Sequence, residues 1–363
     1  MDGLDCLSRH ELDTVLYKNE LTGTLVDNIA TAAGWAGGTS IDAGQDTIPY
    51  AYWSKVMARF ALQEVEESEL GFIYIDRAGK LVYEDRHHRY SATHQTSQAT
   101  FDNTMAQIIY DLGVSSVKNE ARATVTPWDL QGIAELWRLE EVPYIPAGES
   151  LTWWGDSEYF VDAWTAPVAT TDYLANTQAD GGGDNKTGDI VIVETKLAKT
   201  IKLVVTNNAA VGVYMTLLKA RGTYYDDLTK VSRKSSDATS QGLYQKRTLE
   251  LDGKFLTDAD KAQDFCDYGI ARFKDPQPEV KMIITNKDAT NLTQILTRNI
   301  SDRITVKNTR LGLDKDFFIN AMEHEISEGG LLHICTWYLV DASNEDFWCL
   351  DFSELGIGTR LGY

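Results

Sequence analysis

The sequence predicts an α+β, β-rich fold in which a split αβ domain carries an inserted all-β sandwich or barrel domain. Residues 1–123 mix helical spacing of apolar residues with short β-rich runs. Residues 124–222 are rich in Thr, Val, Trp, Tyr and Gly and contain no helical stripe, whereas residues 223–363 return to a mixed pattern. The length of 363 residues suits two or three domains. We therefore expect the first and third segments to form one αβ domain around the insertion.

Helices and one hairpin are predicted in the first segment. Apolar residues at helical spacing predict three helices: one over 25–33 that ends at Gly34, one from Trp53 to Gly71, and one from Phe101 that stops at Gly113. Phe72–Ile75 and Leu81–Tyr83 flank a turn that contains Gly79, which predicts a β-hairpin because glycine adopts positive φ at little cost.

The second and third segments are predicted mainly as strands. In the insertion, β-rich runs predict strands at 158–163, 189–193, 201–206 and 212–218, with an exposed glycine-rich loop at 179–188. In the third segment, Asp258 is predicted to start a helix that ends at Asp275–Pro278. Further strands are predicted at 246–251, 279–285, 303–308, 317–326 and 331–340, and the last two form a C-terminal hairpin.

The formal net charge is −20, which repels nucleic-acid phosphates and anionic membranes. The charge is unevenly distributed. Residues 127–194 hold 13 acidic and two basic residues, a net charge of −11, whereas residues 195–250 hold ten basic and four acidic residues, a net charge of +6. Opposite patches of this kind suit contacts between subunits, although a solvated surface gives the same pattern.

Cysteine usage and hydropathy indicate the compartment. Cys6, Cys266, Cys335 and Cys349 have no CxxC spacing, so we expect reduced and mostly buried thiols. No apolar run approaches 18 residues, and the first residues lack a basic region followed by an apolar one. We therefore expect a protein without a membrane span that is made and kept in a cytosol.

Few residues suggest catalysis, so we expect no enzyme, no metal and no cofactor. Glu323–Glu328 has a metal-like composition, but the alternation of its neighbours predicts a strand that points His324 and Glu325 to opposite faces. The acidic run 64–69 is typical of a solvated helix face.

One polar cluster follows the predicted hairpin: Asp85, Arg86, His87, His88 and Arg89. These residues could form an anion clamp. We favour a self-neutralising sheet edge or a subunit contact, because acids and bases alternate within the cluster.

Tryptophan is frequent around the insertion, and three residues are candidate carbohydrate or interface contacts: Trp153, Trp154 and Trp164. Aromatic rings bind sugars through their apolar faces, but they also fill cores and interfaces. Exposure separates the two cases, since a coplanar pair facing solvent favours sugar binding and buried rings do not.

Several ordered strings of this sequence resemble tail-tip proteins of tailed bacteriophages, the minor tail or baseplate hub family. The strings are Ala33–Trp35, Ile41–Gln45, Ser68–Arg89, Asn207–Asn208, Tyr214–Gly222, Ala271–Val280, Ile300–Val306 and Phe317–Ile326. They mark turns, helices and strands rather than a catalytic signature, and they span nearly the whole chain. Hub proteins usually carry a further N-terminal β domain, for which no counterpart is found before Leu21.

The resemblance implies a structural protein of the virion, a hub-like subunit that links the tail tube to the adsorption apparatus. It also implies a homotrimeric ring, other tail proteins as partners, and a position at the tail tip after assembly in the host cytoplasm. One alternative is a carbohydrate-binding adhesion module that contacts a host cell-surface glycan. A second alternative is a cell-wall hydrolase that uses His324, Glu325 or the 85–89 cluster.

Overall fold

The structure, a computed structural model, describes residues 3–251, 254–255, 258–342, 347–348 and 360–361. The predicted α+β, β-rich fold class is confirmed.

The helices are α1 Gly3–Leu7, α2 Thr22–Ala32, α3 Ala58–Glu69, α4 Ala92–Gln95, α5 Ala238–Tyr244, α6 Ala259–Phe273 and α7 Ala289–Thr297. The strands up to Asp156 are β1 Glu11–Asp13, β2 Tyr17–Leu21, β3 Thr39–Ile41, β4 Thr47–Ala51, β5 Ser54–Met57, β6 Phe72–Ile75, β7 Leu81–Glu84, β8 Thr100–Asp102, β9 Gln107–Asp111, β10 Glu120–Val125, β11 Trp128–Arg138, β12 Tyr144–Ile145 and β13 Ser150–Asp156. The later strands are β14 Phe160–Trp164, β15 Tyr173–Asn176, β16 Ile190–Lys196, β17 Thr200–Asn207, β18 Val213–Asp227, β19 Val231–Ser236, β20 Thr248–Leu251, β21 Glu279–Thr285, β22 Arg303–Asn308, β23 Leu313–Ser327, β24 Leu332–Asp341, β25 Phe347–Trp348 and β26 Arg360–Leu361.

The chain forms two compact units, each built from separate stretches of sequence. Unit 1 takes the described residues within 1–83, 126–231 and 254–257. Unit 2 takes those within 84–125, 232–253 and 258–363. The predicted division into 1–123, 124–222 and 223–363 stays a prediction.

In the N-terminal part of unit 1, the helices α2 and α3 pack on a buried core. Leu25, Val26 and Ile29 of α2 meet Leu62 and Val65 of α3 in this core. The helix predicted from Trp53 starts later, at Ala58, because Ser54–Met57 pairs with β1 as a strand. The predicted hairpin is present as β6 and β7, and Gly79 at its turn has a φ of 79°.

The β-rich part of unit 1 is organised around the 15-residue strand β18, which pairs with β11, β12, β14 and β15. A second sheet has the order β13-β17-β16. Strands predicted at 158–163, 189–193, 201–206 and 212–218 are confirmed as β14, β16, β17 and β18 with shifted ends. Side chains of both sheets, including Ile145, Leu203, Val205 and Met215, fill the shared core.

Aromatic rings join the N-terminal part of unit 1 to its β-rich part. Tyr50 lies 4.4 Å from Tyr225 between ring centroids, and Tyr225 stacks on Phe160 at 4.9 Å. Trp128 lies 4.3 Å from Phe160. These rings come from β4, β11, β14 and β18, so residues far apart in sequence share one packed cluster.

Unit 2 contains a six-stranded sheet with the order β8-β22-β23-β24-β21-β9. Its core face carries Met282, Ile304, Phe317 and Trp337. The strands predicted at 279–285 and 303–308 have these bounds in the structure, and the C-terminal hairpin is confirmed as β23 and β24.

The helix predicted from Phe101 to Gly113 is wrong. Residues Thr100–Asp102 form β8 beside β22, and Gln107–Asp111 form β9 beside β21. Between the strands, Asn103 turns the chain with a φ of 50°, a conformation that asparagine tolerates better than most residues. Phe101, Met105 and Ile108 pack on the sheet core, whereas Ile109 and Leu112 are exposed, so the helical spacing of these apolar residues was coincidental.

The helix predicted from Asp258 is confirmed as α6. The Asp258 carboxylate accepts hydrogen bonds from the backbone N–H groups of Asp260 and Lys261, which caps the helix. Gly269 lets α6 approach the sheet β19-β10-β20, since a Cβ there would lie 3.1 Å from Leu249.

Candidate interaction surfaces

The two adjacent tryptophans on β13 point to opposite faces of the sheet. Trp153 packs against the core between the sheets, whereas Trp154 is 57% exposed. The ammonium of Lys202 lies 5.5 Å from the centroid of the Trp154 ring, a cation–π contact across to β17. Trp153 and Trp154 therefore do not form a coplanar, solvent-facing pair.

Trp164 is a buried residue. Its indole Nε1 donates to the Leu197 carbonyl at 2.8 Å, which satisfies the polar atom of the ring. Among the three candidate tryptophans, only Trp154 presents its ring to solvent.

Trp154 lies on the outer face of the sheet β13-β17-β16. The strand registers place on this face Ser150, Thr152, Trp154, Lys202, Val204, Thr206, Val191, Val193 and Thr195. Val191 and Val193 are 48% and 60% exposed. The charged residues of this face are Lys202 and Asp156, which lies at the end of β13. The sequence signal for the face is the alternation along β16, with valine on the outward side.

The loop at the end of β17 is held by Asn207, which is fully buried. Its amide Nδ2 donates to the carbonyls of Ile145, Pro146 and Val211 at 2.9–3.1 Å, and its Oδ1 accepts from the N–H of Ala209. One side chain thus ties two loops together at this end of the sheet.

The residues of the 85–89 cluster lie in unit 2 and contact one another and neighbouring side chains of that unit. Asp85 is buried and accepts from the His87 N–H at 2.9 Å, while the Arg86 guanidinium lies 5.6 Å from the centroid of the Phe265 ring. His88 Nε2 lies 3.5 Å from a carboxylate oxygen of Glu84. Because Asp85 and Arg89 are buried, the cluster does not form a continuous exposed patch.

Arg89 belongs to a buried polar network that spans distant parts of the sequence. Its Nε donates to Ser301 Oγ at 3.1 Å, a second guanidinium nitrogen donates to Asn320 at 2.9 Å, and the guanidinium lies 5.1 Å from the centroid of the Phe318 ring. Ser301 Oγ donates in turn to the Glu84 carboxylate. We call Glu84, Arg89, Ser301 and Asn320 the buried polar network. Ser301 has a φ of 66°, a strained value for serine.

Sequence reasoning missed a second charged group, around Glu120 on β10. This carboxylate lies 2.7–2.8 Å from nitrogens of Arg122, Lys234 and Lys246, all exposed. Hydrogen bonds from the two lysines, and the charge of Arg122, lower the pKa of Glu120 to about 2. The three cations come from three separate stretches of sequence, so no local motif marks the cluster.

The acidic run on α3 is only in part the solvated face that was predicted, since Glu67 is exposed but Glu66 and Glu69 are not. Glu69 is fully buried and accepts from Thr22 Oγ1 at 2.8 Å and from the N–H groups of Gln45 and Asp46. Glu66 accepts from the Ile73 N–H at 2.9 Å, and burial raises its pKa. These carboxylates fix loops to the helix instead of facing water.

The residues considered for hydrolysis do not converge. His324 lies on β23, as predicted, and its Nδ1 lies 2.9 Å from His333 Nε2. Glu325 follows it on the strand and therefore points to the other face. Within the described ranges, no group of three or more His, Cys, Asp or Glu side chains could hold a metal ion.

Of the four cysteines, Cys6, Cys266 and Cys335 are free thiols, and Cys349 lies outside the described residues. Burial raises the pKa of Cys335 to about 11. None of the helices in the described part of the chain combines the length and apolarity needed to cross a bilayer.

No protein-family model matches the chain, and no curated protein matches it. Several solved structures are similar to it. Three of them are the 43 kDa tail protein of prophage MuSo2 from Shewanella oneidensis (TM-score 0.49, 10% identity, covering 94% of this chain and 72% of that chain), the tail protein from Neisseria meningitidis MC58 (0.46, 9%, 93% and 72%) and the prophage tail protein gp18 from Listeria monocytogenes EGD-e (0.40, 10%, 93% and 70%).

Proposed function

We propose that this chain is a structural subunit of a bacteriophage or prophage tail. It would act at the tail tip or baseplate as a hub-like, homo-oligomeric part that links the tail tube to the adsorption apparatus. The proposed activity is assembly with other tail proteins and with copies of itself, without catalysis. The trimeric ring that the resemblance implies remains a prediction.

One observation carries the proposal: three of the strings that resemble tail-tip proteins meet at the buried polar network. Glu84 and Arg89 come from Ser68–Arg89, Ser301 from Ile300–Val306, and Asn320 from Phe317–Ile326. Segments more than 200 residues apart in sequence thus form one buried structural feature without a reactive cleft, which fits the structural role that the resemblance implies.

The surfaces of unit 1 also fit an assembled subunit. The outer face of β13-β17-β16 exposes Trp154, Val191 and Val193 on a regular sheet. Exposed apolar side chains on a rigid sheet are typical of surfaces that become covered by another protein.

The test is deletion of the gene in the phage or lysogen that encodes it, followed by electron microscopy of the particles. We expect tails without a complete tip, or no attached tails, and restoration by the wild-type gene supplied in trans. Antibody-gold labelling of an epitope-tagged copy should mark one end of the tail. Particles with complete tips that adsorb normally after deletion would contradict the proposal.

A second candidate function, glycan binding at the tail tip, is favoured only by the exposed ring of Trp154. Lys202 covers one face of that ring, which leaves the other face for a sugar. Binding on a glycan array that is lost in Trp154→Ala but kept in Leu130→Ala, an exposed residue on another strand, would favour this function. Equal binding by both variants, or none by the wild type, would argue against it.

A further inference from the structure

β16 is an edge strand of its sheet, and one of its two sides is not paired with another strand. In the order β13-β17-β16 it pairs only with β17, through seven consecutive residue pairs without a bulge. Along a strand, every second residue directs its N–H and C=O groups to the same side. Apart from the bond that the Ile190 N–H donates to the Thr187 carbonyl, no backbone hydrogen bond in the described residues joins Ile190–Lys196 to a segment other than β17. From Val191 to Lys196 the far side of β16 therefore presents unpaired donors and acceptors over about 20 Å, at about 3.3 Å per residue.

Several other sheet edges of the described chain are short or contain proline, and β11, whose 11 residues pair only with β18, is interrupted by two register shifts in that pairing. β8 and β12 contain three and two residues, and β4 contains Pro49, which has no N–H to donate. Proteins commonly protect edges in these ways, and β16 lacks such protection.

The side chains of β16 also favour a strand partner. Val191 and Val193 stand exposed on its outer face. The two charged residues, Glu194 and Lys196, neutralise each other at 3.0 Å. The strand therefore offers a neutral surface with free backbone groups, which is the chemistry that recognises another extended strand.

We propose that β16 pairs antiparallel with β16 of a second copy of this chain, about a two-fold axis at Val193. Val193 is the middle residue of Ile190–Lys196, so centring the axis there pairs all seven residues. Val191 then lies opposite the partner's Thr195. Glu194 lies opposite the partner's Ile192 and Lys196 opposite the partner's Ile190, so no like charges face each other.

This pairing is an isologous contact that fuses two three-stranded sheets into one sheet of six strands. It closes the open edge on both copies at once. It extends beyond the proposed function and does not depend on it, because a tail subunit could assemble through other surfaces. A ring formed by a different contact could use the β16 edge to join a second ring.

The first test is disulfide trapping of the full-length protein under mild oxidation. Residues directly opposite in an antiparallel pair have Cα atoms about 4.5–5.5 Å apart, within the range that a disulfide spans. Val193→Cys should therefore cross-link to itself. Val191→Cys alone should not, but a mixture of Val191→Cys and Thr195→Cys should give the mixed dimer. The unsubstituted protein controls for the native cysteines.

The second test is particle mass by light scattering over a wide range of protein concentration. We expect the wild type to reach a dimer or an even-numbered particle. Val193→Lys places two like charges across the axis and should halve the mass, whereas Val168→Lys, at a valine of similar exposure outside the strand, should leave it unchanged. Circular dichroism verifies that both variants fold.

Absence of a Val193→Cys cross-link, or a mass that Val193→Lys does not alter, would overturn the proposal. A wild-type protein that stays monomeric at every concentration would overturn it as well. Each of these three results concerns only the β16 contact. The proposed tail function would stand if deletion of the gene still removes the tail tip. Conversely, if Val193→Cys cross-links but deletion of the gene leaves the tails intact, the β16 contact would be supported and the proposed tail function would be rejected.

Discussion

The outer face of β13-β17-β16 in unit 1 and the buried polar network in unit 2 reverse the usual distribution of polarity. The first places tryptophan and valine in water, and the second places an arginine, a glutamate and a serine inside. Exposed apolar groups cost little stability, because the unfolded chain exposes them too. Buried charged groups cost much more when a partner is lost.

The comparison separates residues that serve folding from residues available for association. Substitutions in the buried polar network should act on the free energy of unfolding. Substitutions on the outer sheet face should act on assembly and leave folding nearly unchanged. The following predictions test this division from the largest effect to the smallest.

Arg89→Met should destabilise the protein most. It removes the hydrogen bonds to Ser301 and Asn320 and the contact with Phe318, and it leaves buried polar groups without their donor. We expect a loss of about 3–5 kcal/mol in the free energy of unfolding, measured by urea denaturation. Arg59→Met, at an exposed arginine of α3, is the control and should change stability little. An equal loss in both variants would refute the structural role of Arg89.

Asn207→Ala tests whether unit 1 also contains a buried polar group that matters for folding. Three carbonyls lose their donor and the Ala209 N–H loses its acceptor. The expected loss is about 2–3 kcal/mol by urea denaturation. Asn208→Ala changes an exposed neighbour and serves as the matched control. Similar midpoints for the two variants would contradict the prediction.

Glu120→Gln should give a pH-dependent effect. The folded-state pKa of Glu120, about 2, lies below its ordinary value of 4.5, so the carboxylate contributes stability above about pH 4.5 and loses it as the pH falls towards 2. The difference in denaturation midpoint between wild type and variant should therefore be larger at pH 7 than at pH 3. Glu141→Gln, at an exposed site, should show no such trend. A difference independent of pH would exclude the ionised carboxylate as its source.

Val193→Thr should have the smallest effect on folding. Its side chain is exposed and threonine suits a strand, so we expect a change within about 0.5 kcal/mol. A loss above about 1 kcal/mol in the monomer would mean that the outer face packs against part of its own chain.

Regular local patterns made much of the fold predictable. β22 alternates polar and apolar residues from Arg303 to Lys307, and β21 does so except at Ile283; the structure places both strands at the predicted residues. Asp258 followed by an amphipathic stretch predicted α6 for the same local reason. By contrast, β11 has bulges near Gln131 and Trp137. The bulges interrupt the alternation of apolar and polar residues, so the sequence pattern did not predict this strand.

Contacts between distant residues could not be predicted. Glu84 and Ser301 are 217 residues apart, and the three cations around Glu120 come from different strands and a loop. The sequence marked Arg89 as part of a polar cluster, but burial depends on which segments pack over it. Trp154 and Trp164 differ in exposure for the same reason, since both belong to strands and only tertiary packing distinguishes them.

The interleaving of the two units along the chain constrains synthesis. Unit 1 uses residues up to Lys254 and Phe255, after the chain has already contributed residues 84–125 to unit 2. Phe255 can therefore join the N-terminal core of unit 1 only after the first segment of unit 2 has been made, and β11 cannot pair with β18 until about 90 further residues have been synthesised. During translation, unsatisfied strands such as β11 are exposed to misassociation. Since each unit is built from separate stretches of sequence, neither unit should be obtainable by a single truncation.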